Sequence, residues 1–117
     1  MDVKQFYIDI KGDYNDAIKR MMNETLIAKM VNKFMSGDSV SQLISLYEKK
    51  DYRNLFSSAH TLKGVAGNLS LTPLFNIASI ITEATRNSDD ANLDKEIAEL
   101  KEVFDLIQQA YKKYLSI

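Results

Sequence analysis

Residues 51–71 read DYRNLFSSAHTLKGVAGNLSL, and the rest of the 117-residue chain is organised around this stretch. Leu55, Ala59, Leu62, Ala66 and Leu69 recur at alternating steps of four and three. At about 100° per residue this spacing lays them along one side of an α-helix, the side that faces a core. His60, the chain's single histidine, falls roughly 140° from the centre of that stripe, on the face turned toward water. Lys63 and Gly64 follow one turn later and Gly67 two turns later, so all three share the face of His60.

Glycine inside a helix costs about 1 kcal/mol relative to alanine, so two of them cost roughly 2 kcal/mol on the face that carries the histidine and the lysine. Such a face suits a partner that docks against bare backbone and delivers an anion to the imidazole. A lone surface histidine is ordinarily just solvated, and a lysine at i+3 is commonplace. The paired glycines are what set this helix apart.

Composition bounds the alternatives. The length fits one domain, residues 1–117, able to bury a core without staples. With 45% hydrophobic and 26% charged residues, one proline and four glycines, the chain reads as mostly helical and globular. It has no cysteine, which excludes disulfides and thiolate metal sites. A net charge of −1 with scattered Lys and Arg gives no pull toward nucleic acid. No leader and no apolar run of membrane-spanning length is visible, so a soluble, cytoplasmic protein without membrane contact is expected.

Residues 1–12 carry FYID and end at Gly12; they read as a lead-in of unassigned conformation. Asp13 caps a short helix with Ala17, Ile18, Met21 and Met22 on its apolar side, and Asn23 caps a second with Leu26, Ile27, Met30, Val31 and Phe34, ended by Gly37. Ser39 or Asp38 opens a third helix carrying Val40, Leu43, Ile44 and Tyr47, and Asp51 caps the helix of His60. Thr72 followed by Pro73 predicts a capped helix with Leu74, Ile77, Ala78, Ile81 and Ala84 inside, stopping near Asn87. Asp89 or Asp90 lies near the start of a last helix, where Leu93, Ile97, Leu100, Phe104, Ile107, Tyr111 and Tyr114 form a long stripe. Short connections force neighbours antiparallel. The expected fold is all-α: an up-down four-helix bundle over residues 39–116, with two short N-terminal helices within residues 13–36 covering one end.

The run Ala59-His60-Thr61-Leu62-Lys63-Gly64, with Ala66, Gly67, Asn68, Leu69 and Leu71, resembles the signature of histidine-containing phosphotransfer (HPt) domains. The segment AIKRMMNETLIAKMVNKF resembles, more loosely, what precedes the bundle in that family. The resemblance covers nearly the whole chain and implies the same four-helix architecture. It implies that His60 accepts a phosphoryl group from a receiver-domain aspartate and passes it to another, in a relay linking a hybrid sensor histidine kinase to response regulators. Lys63 would neutralise the phosphoryl oxygens, while Gly64 and Gly67 would give clearance. Phe56 and Asn68 are docking candidates beside them, although Phe56 could equally be a core residue at the stripe's edge.

The sequence departs from the family at two positions. Ser70 stands where the family usually has a glycine that closes the helix. On the next helix many members carry a glutamate or glutamine opposite the histidine, and the aligned residue here is Thr82, which could touch the partner or be an ordinary boundary threonine. Glu83 is adjacent but displaced by about 100°. No Gly-rich nucleotide loop, HExxH or EF-hand pattern is present, so no kinase activity and no cofactor of the chain's own are expected. The Mg²⁺ of the reaction would belong to the receiver. A monomeric carrier is expected, and the Met1 start suits a free-standing protein, though a piece of a larger kinase would read the same. The alternatives are a degenerate HPt module that docks without carrying phosphate and, last, a small enzyme using His60 as general base.

Overall fold

The computed structural model describes residues 1–88 and 90–116. Seven helices form: α1 (Val3–Ile10), α2 (Tyr14–Met21), α3 (Glu24–Ser36), α4 (Ser39–Glu48), α5 (Tyr52–Asn68), α6 (Thr72–Thr85) and α7 (Asp94–Tyr114). Helix α5 forms as its sequence dictates. The Asp51 carboxylate accepts from the Asn54 amide at 3.3 Å, satisfying a donor that the first turn leaves free. Leu55, Ala59, Leu62, Ala66 and Leu69 are all buried. The helix closes where the Leu71 amide donates to Ala66 O at 2.9 Å and the Ser70 amide to Gly67 O at 3.2 Å, with Ser70 at φ +56°.

A left-handed serine costs about 1 kcal/mol more than glycine would, and two bonds offset this. Ser70 Oγ donates to Asp16 Oδ2 at 2.6 Å, and Ser70 O accepts from the Asp13 amide at 3.0 Å. Glycine is required instead at position 12, where a Cβ would stand 2.8 Å from Tyr7 Cδ1 and 2.9 Å from Ser70 O. The Tyr7 hydroxyl donates to Leu69 O at 2.6 Å. The end of α5 is thereby tied to the N-terminal helices.

Helices α5 and α6 form the most extensive pairing, with α4 against α5 and α7 against α6. Helices α3 and α4, separated by Gly37 and Asp38 alone, supply the first long element of an up-down-up-down bundle. Phe34 of α3 meets Phe104 of α7 edge-on, with centroids 6.3 Å apart. The two short helices at the end are α1 and α2. Residues 1–12, unassigned from the sequence, thus contain a helix whose Val3, Phe6, Tyr7 and Ile10 are buried. It lies against α7, where the Asp2 amide donates to Tyr114 O at 3.2 Å and the Tyr114 hydroxyl to Asp9 at 2.8 Å.

Several details differ from the sequence expectation. The apolar side of α2 stops short of Met22, which is exposed at φ +74° as the helix cap, and Leu26 of α3 is also exposed. Thr72 lies inside α6, with Leu71 at the cap position. Ala84 is exposed while Thr82 and Thr85 are buried; their hydroxyls donate to Ala78 O at 2.7 Å and Ile81 O at 2.8 Å, so the buried groups are satisfied within the helix. Helix α7 begins only at Asp94, with Asp94 and Glu96 in its first turn. Asp90 lies in the preceding loop, and Asp89 lies outside the described residues. Tyr47 fastens this start: its hydroxyl accepts from the Leu93 amide at 2.8 Å and donates to Asp94 at 2.6 Å.

Candidate functional site

His60 is exposed on α5, midway along a helix whose opposite side is locked in the core. One turn earlier, the Phe56 ring stacks on the imidazole, with planes 8° apart and centroids at 6.0 Å. Phe56 is half-buried and is not among the described residues packed against the core. Arg86, the residue that ends α6, places its guanidinium carbon 5.1 Å from the Phe56 centroid. The same guanidinium grips Glu83 with two bonds, Nη2 to Oε1 at 3.1 Å and Nε to Oε2 at 3.2 Å.

The 100° between adjacent helical positions decides which α6 residue meets the histidine face. Thr82 is fully buried with its hydroxyl committed to Ala78 O. It therefore offers nothing to a docking partner, which corrects the expectation for that position. Glu83 is the exposed neighbour. Arg86 beside it holds its carboxyl below the usual carboxylate range, with smaller contributions from Lys63 and His60. Glu83, one position beyond the aligned Thr82, is thus the acidic residue that α6 exposes.

Lys63 is half-buried, its ammonium 6.0 Å from the centroid of Phe75 on α6. Its alkyl stem lies along the helix pair while the charge stays at the rim. The two glycines separate in purpose. A Cβ at Gly64 would meet nothing within 4 Å, so the backbone there is open. A Cβ at Gly67 would come within 3.2 Å of the Phe75 ring; its missing side chain makes room for α6 and not for a visitor. Asn68 is exposed further along, at the rim of an apolar pocket of about 320 Å³ lined by Met21, Met30, Phe34 and Leu69, apart from the His60 cluster.

The structure therefore gathers His60, Phe56, Lys63 and Gly64 on one surface, adds Glu83, Arg86 and Phe75 from α6, and removes Thr82 and Gly67 from it. A signal for the first two additions was present in the sequence, since Glu83 and Arg86 stand at i, i+3, the spacing at which opposite charges pair on a helix. Among the described residues no cluster of three or more His, Cys, Asp or Glu side chains could hold a metal ion, and no helix is long and apolar enough to cross a membrane.

The model of the Hpt domain family matches residues 24–110, from the first residue of α3 to four residues short of the end of α7. The chain belongs to the Hpt family, the histidine-containing phosphotransfer domains. Membership gives it a general role in phosphorelay signalling, as a carrier module that works with receiver domains and is not itself a kinase. No curated protein and no solved structure matches the chain.

Proposed function

We propose that residues 1–117 act as one monomeric HPt domain in the cytoplasm, carrying phosphate between a hybrid sensor histidine kinase and response regulators through His60. A neutral imidazole nitrogen attacks the phosphorus of an aspartyl phosphate on a docked receiver. The new N–P bond forms as the P–O bond to the aspartate breaks, and the carboxylate leaves with the electron pair. In the return step an aspartate of a second receiver attacks the same phosphorus and the imidazole leaves. Such transfers depend on in-line placement and charge neutralisation more than on covalent assistance.

The observation that supports this reading is the exposed imidazole one turn from the open backbone of Gly64. A receiver can approach the helix there without meeting a side chain. Lys63, held at the rim by Phe75, needs only to rotate its flexible stem to meet phosphoryl oxygens. Mg²⁺ is expected in the acidic site of the receiver. Phe56, stacked on His60, offers an apolar contact at the edge of the docking surface.

The test is incubation with an aspartyl-phosphorylated receiver and Mg²⁺, followed by intact mass and peptide mapping. An acid-labile, base-stable phosphate on His60, absent from H60Q, is the expected result. No phosphate across a panel of receivers that do phosphorylate another HPt domain would overturn the carrier reading and leave a module that only docks.

A further inference from the structure

The hollow that Asn68 borders shares no side chain with the His60 cluster and has its own chemistry. It encloses about 320 Å³ where α2, α3, α4 and the end of α5 meet. Met21, Met30, Phe34 and Val65 stand half-buried around it, and Leu69 is buried. Its three polar side chains, Lys33, Ser39 and Asn68, are all exposed. The wall is thus apolar in its depth and polar at its mouth. It holds no aspartate or glutamate, and among the described residues Lys33 forms no ion pair. Asp38, the acid nearest to the wall in sequence, is exposed between Gly37 and Ser39 and is not part of it. Packed interiors leave few hollows larger than a water molecule, and apolar ones of such a size take apolar guests.

The geometry points to a binding site for a small apolar carboxylate, its chain among Met21, Met30 and Leu69 and its head at the mouth beside Lys33. Volume selects the kind of guest. About 320 Å³ lies at the small end of ligand sites, and a helix about 10 Å across cannot enter it. Charge selects the head. One ammonium with no opposing acid in the wall favours a single negative charge, and the Ser39 hydroxyl and Asn68 amide are further donors for carboxylate oxygens. A cationic head would meet repulsion from Lys33 and find no acid in the wall. Methionine suits the depth of such a site, because its unbranched, polarisable side chain adapts to the shape of a guest. Binding here is independent of phosphate transfer at His60.

Sodium octanoate is the probe, with octanol and octylamine as its neutral and cationic counterparts. Of the chain's five methionines, Met21 and Met30 line the hollow. Their methyl signals in a ¹³C-methyl-methionine spectrum of the full chain report occupancy, and Met1, exposed at the N-terminus, is the control. Octanoate should move the Met21 and Met30 signals saturably, with a Kd on the order of 1 mM or tighter, and leave Met1 in place. K33Q, which changes an exposed side chain, should fold normally, weaken octanoate by about two- to fivefold and leave octanol unchanged. M30W, which fills the hollow, should abolish binding of both. Equal binding of octylamine, or an unchanged octanoate affinity in K33Q, would overturn the carboxylate assignment. Shifts spread evenly over all five methionines would mean adventitious partition onto apolar surface and overturn the site. So would methyls that stay still with octanoate but move when an unphosphorylated receiver is added, a result that would make the hollow part of the docking surface.

Discussion

Around His60, and around Ser70 ten residues later and just past its end, α5 meets its surroundings in opposite ways. At Ser70 the backbone takes a left-handed turn under a lid of short bonds: Ser70 Oγ to Asp16, Asp13 N–H to Ser70 O, Tyr7 hydroxyl to Leu69 O. At His60 the helix is exposed, and beside it a Cβ at Gly64 would meet open space. Between the two, Gly67 looks like Gly64 in sequence but is filled by Phe75. A reacting side chain is best held on a rigid element supported elsewhere. Here the support is concentrated at the end of α5, and the bareness is concentrated at its middle.

That comparison can be broken most sharply at His60. H60Q should lose phosphoryl acceptance entirely while keeping receiver binding, measured by transfer assay and titration calorimetry. G64Q should slow transfer more than about tenfold by obstructing the approach, yet its melting temperature should not fall, because glutamine is the better helix former by up to about 1 kcal/mol. Transfer at the normal rate in G64Q would remove the docking role of the open backbone. G67L is expected to do the reverse, destabilising by about 1–3 kcal/mol as the leucine displaces Phe75, so chemical denaturation should tell the two glycines apart. S70A, which removes the bond to Asp16 while keeping the left-handed strain, should lower the melting temperature by a few degrees, and S70G by less because glycine relieves the strain.

The smallest effect is one of pH. The Asp16 carboxyl is held low by the bond from Ser70 and then by Arg20, and that of Asp9 by bonds from Gln5 and Tyr114. A lowered native value means that the unfolded chain binds the proton more readily. The contribution is therefore complete above the ordinary carboxylate value of about 4 and is lost as pH falls through the lowered native values. Melting curves between pH 6 and pH 3 should show the loss, with a shallower slope in S70A.

Much of this was legible in the chain because strong local signals agreed with packing. The 4-3 stripe of α5 and the caps Asp13, Asn23 and Asp51 were visible, and each cap accepts the bond expected of it. Helix α1 was not, although Val3, Phe6, Tyr7 and Ile10 have helical spacing: eight residues are too few to hold a helix alone, and its stability comes from packing on α7, with α2 and α3 adding to it. The start of α7 is hard to read because SDDAN offers two acids, Asp89 and Asp90, ahead of Asp94, the acid in its first turn that Tyr47 of another helix binds. At the site, His60, Lys63 and Gly64 could be read from one helix. Glu83 could not, since a one-position error on α6 exchanges the buried face for the exposed one, and only the packing of α6 on α5 decides between them. Gly67 failed for the same reason: its occupant, Phe75, comes from the neighbouring helix.

The buried phenol of Tyr7 also equips the molecule with an optical reporter of its own opening. Burial pushes this hydroxyl far above the ordinary tyrosine value, so it stays neutral while folded. Above about pH 10 the unfolded chain gives up this proton and the folded one does not, so folding loses stability as the solution becomes more alkaline. Of the six tyrosines, Tyr7 should develop phenolate absorbance only when the bond to Leu69 parts, and a delayed step in an ultraviolet alkaline titration, lost in Y7F, would time the release of the α5 terminus.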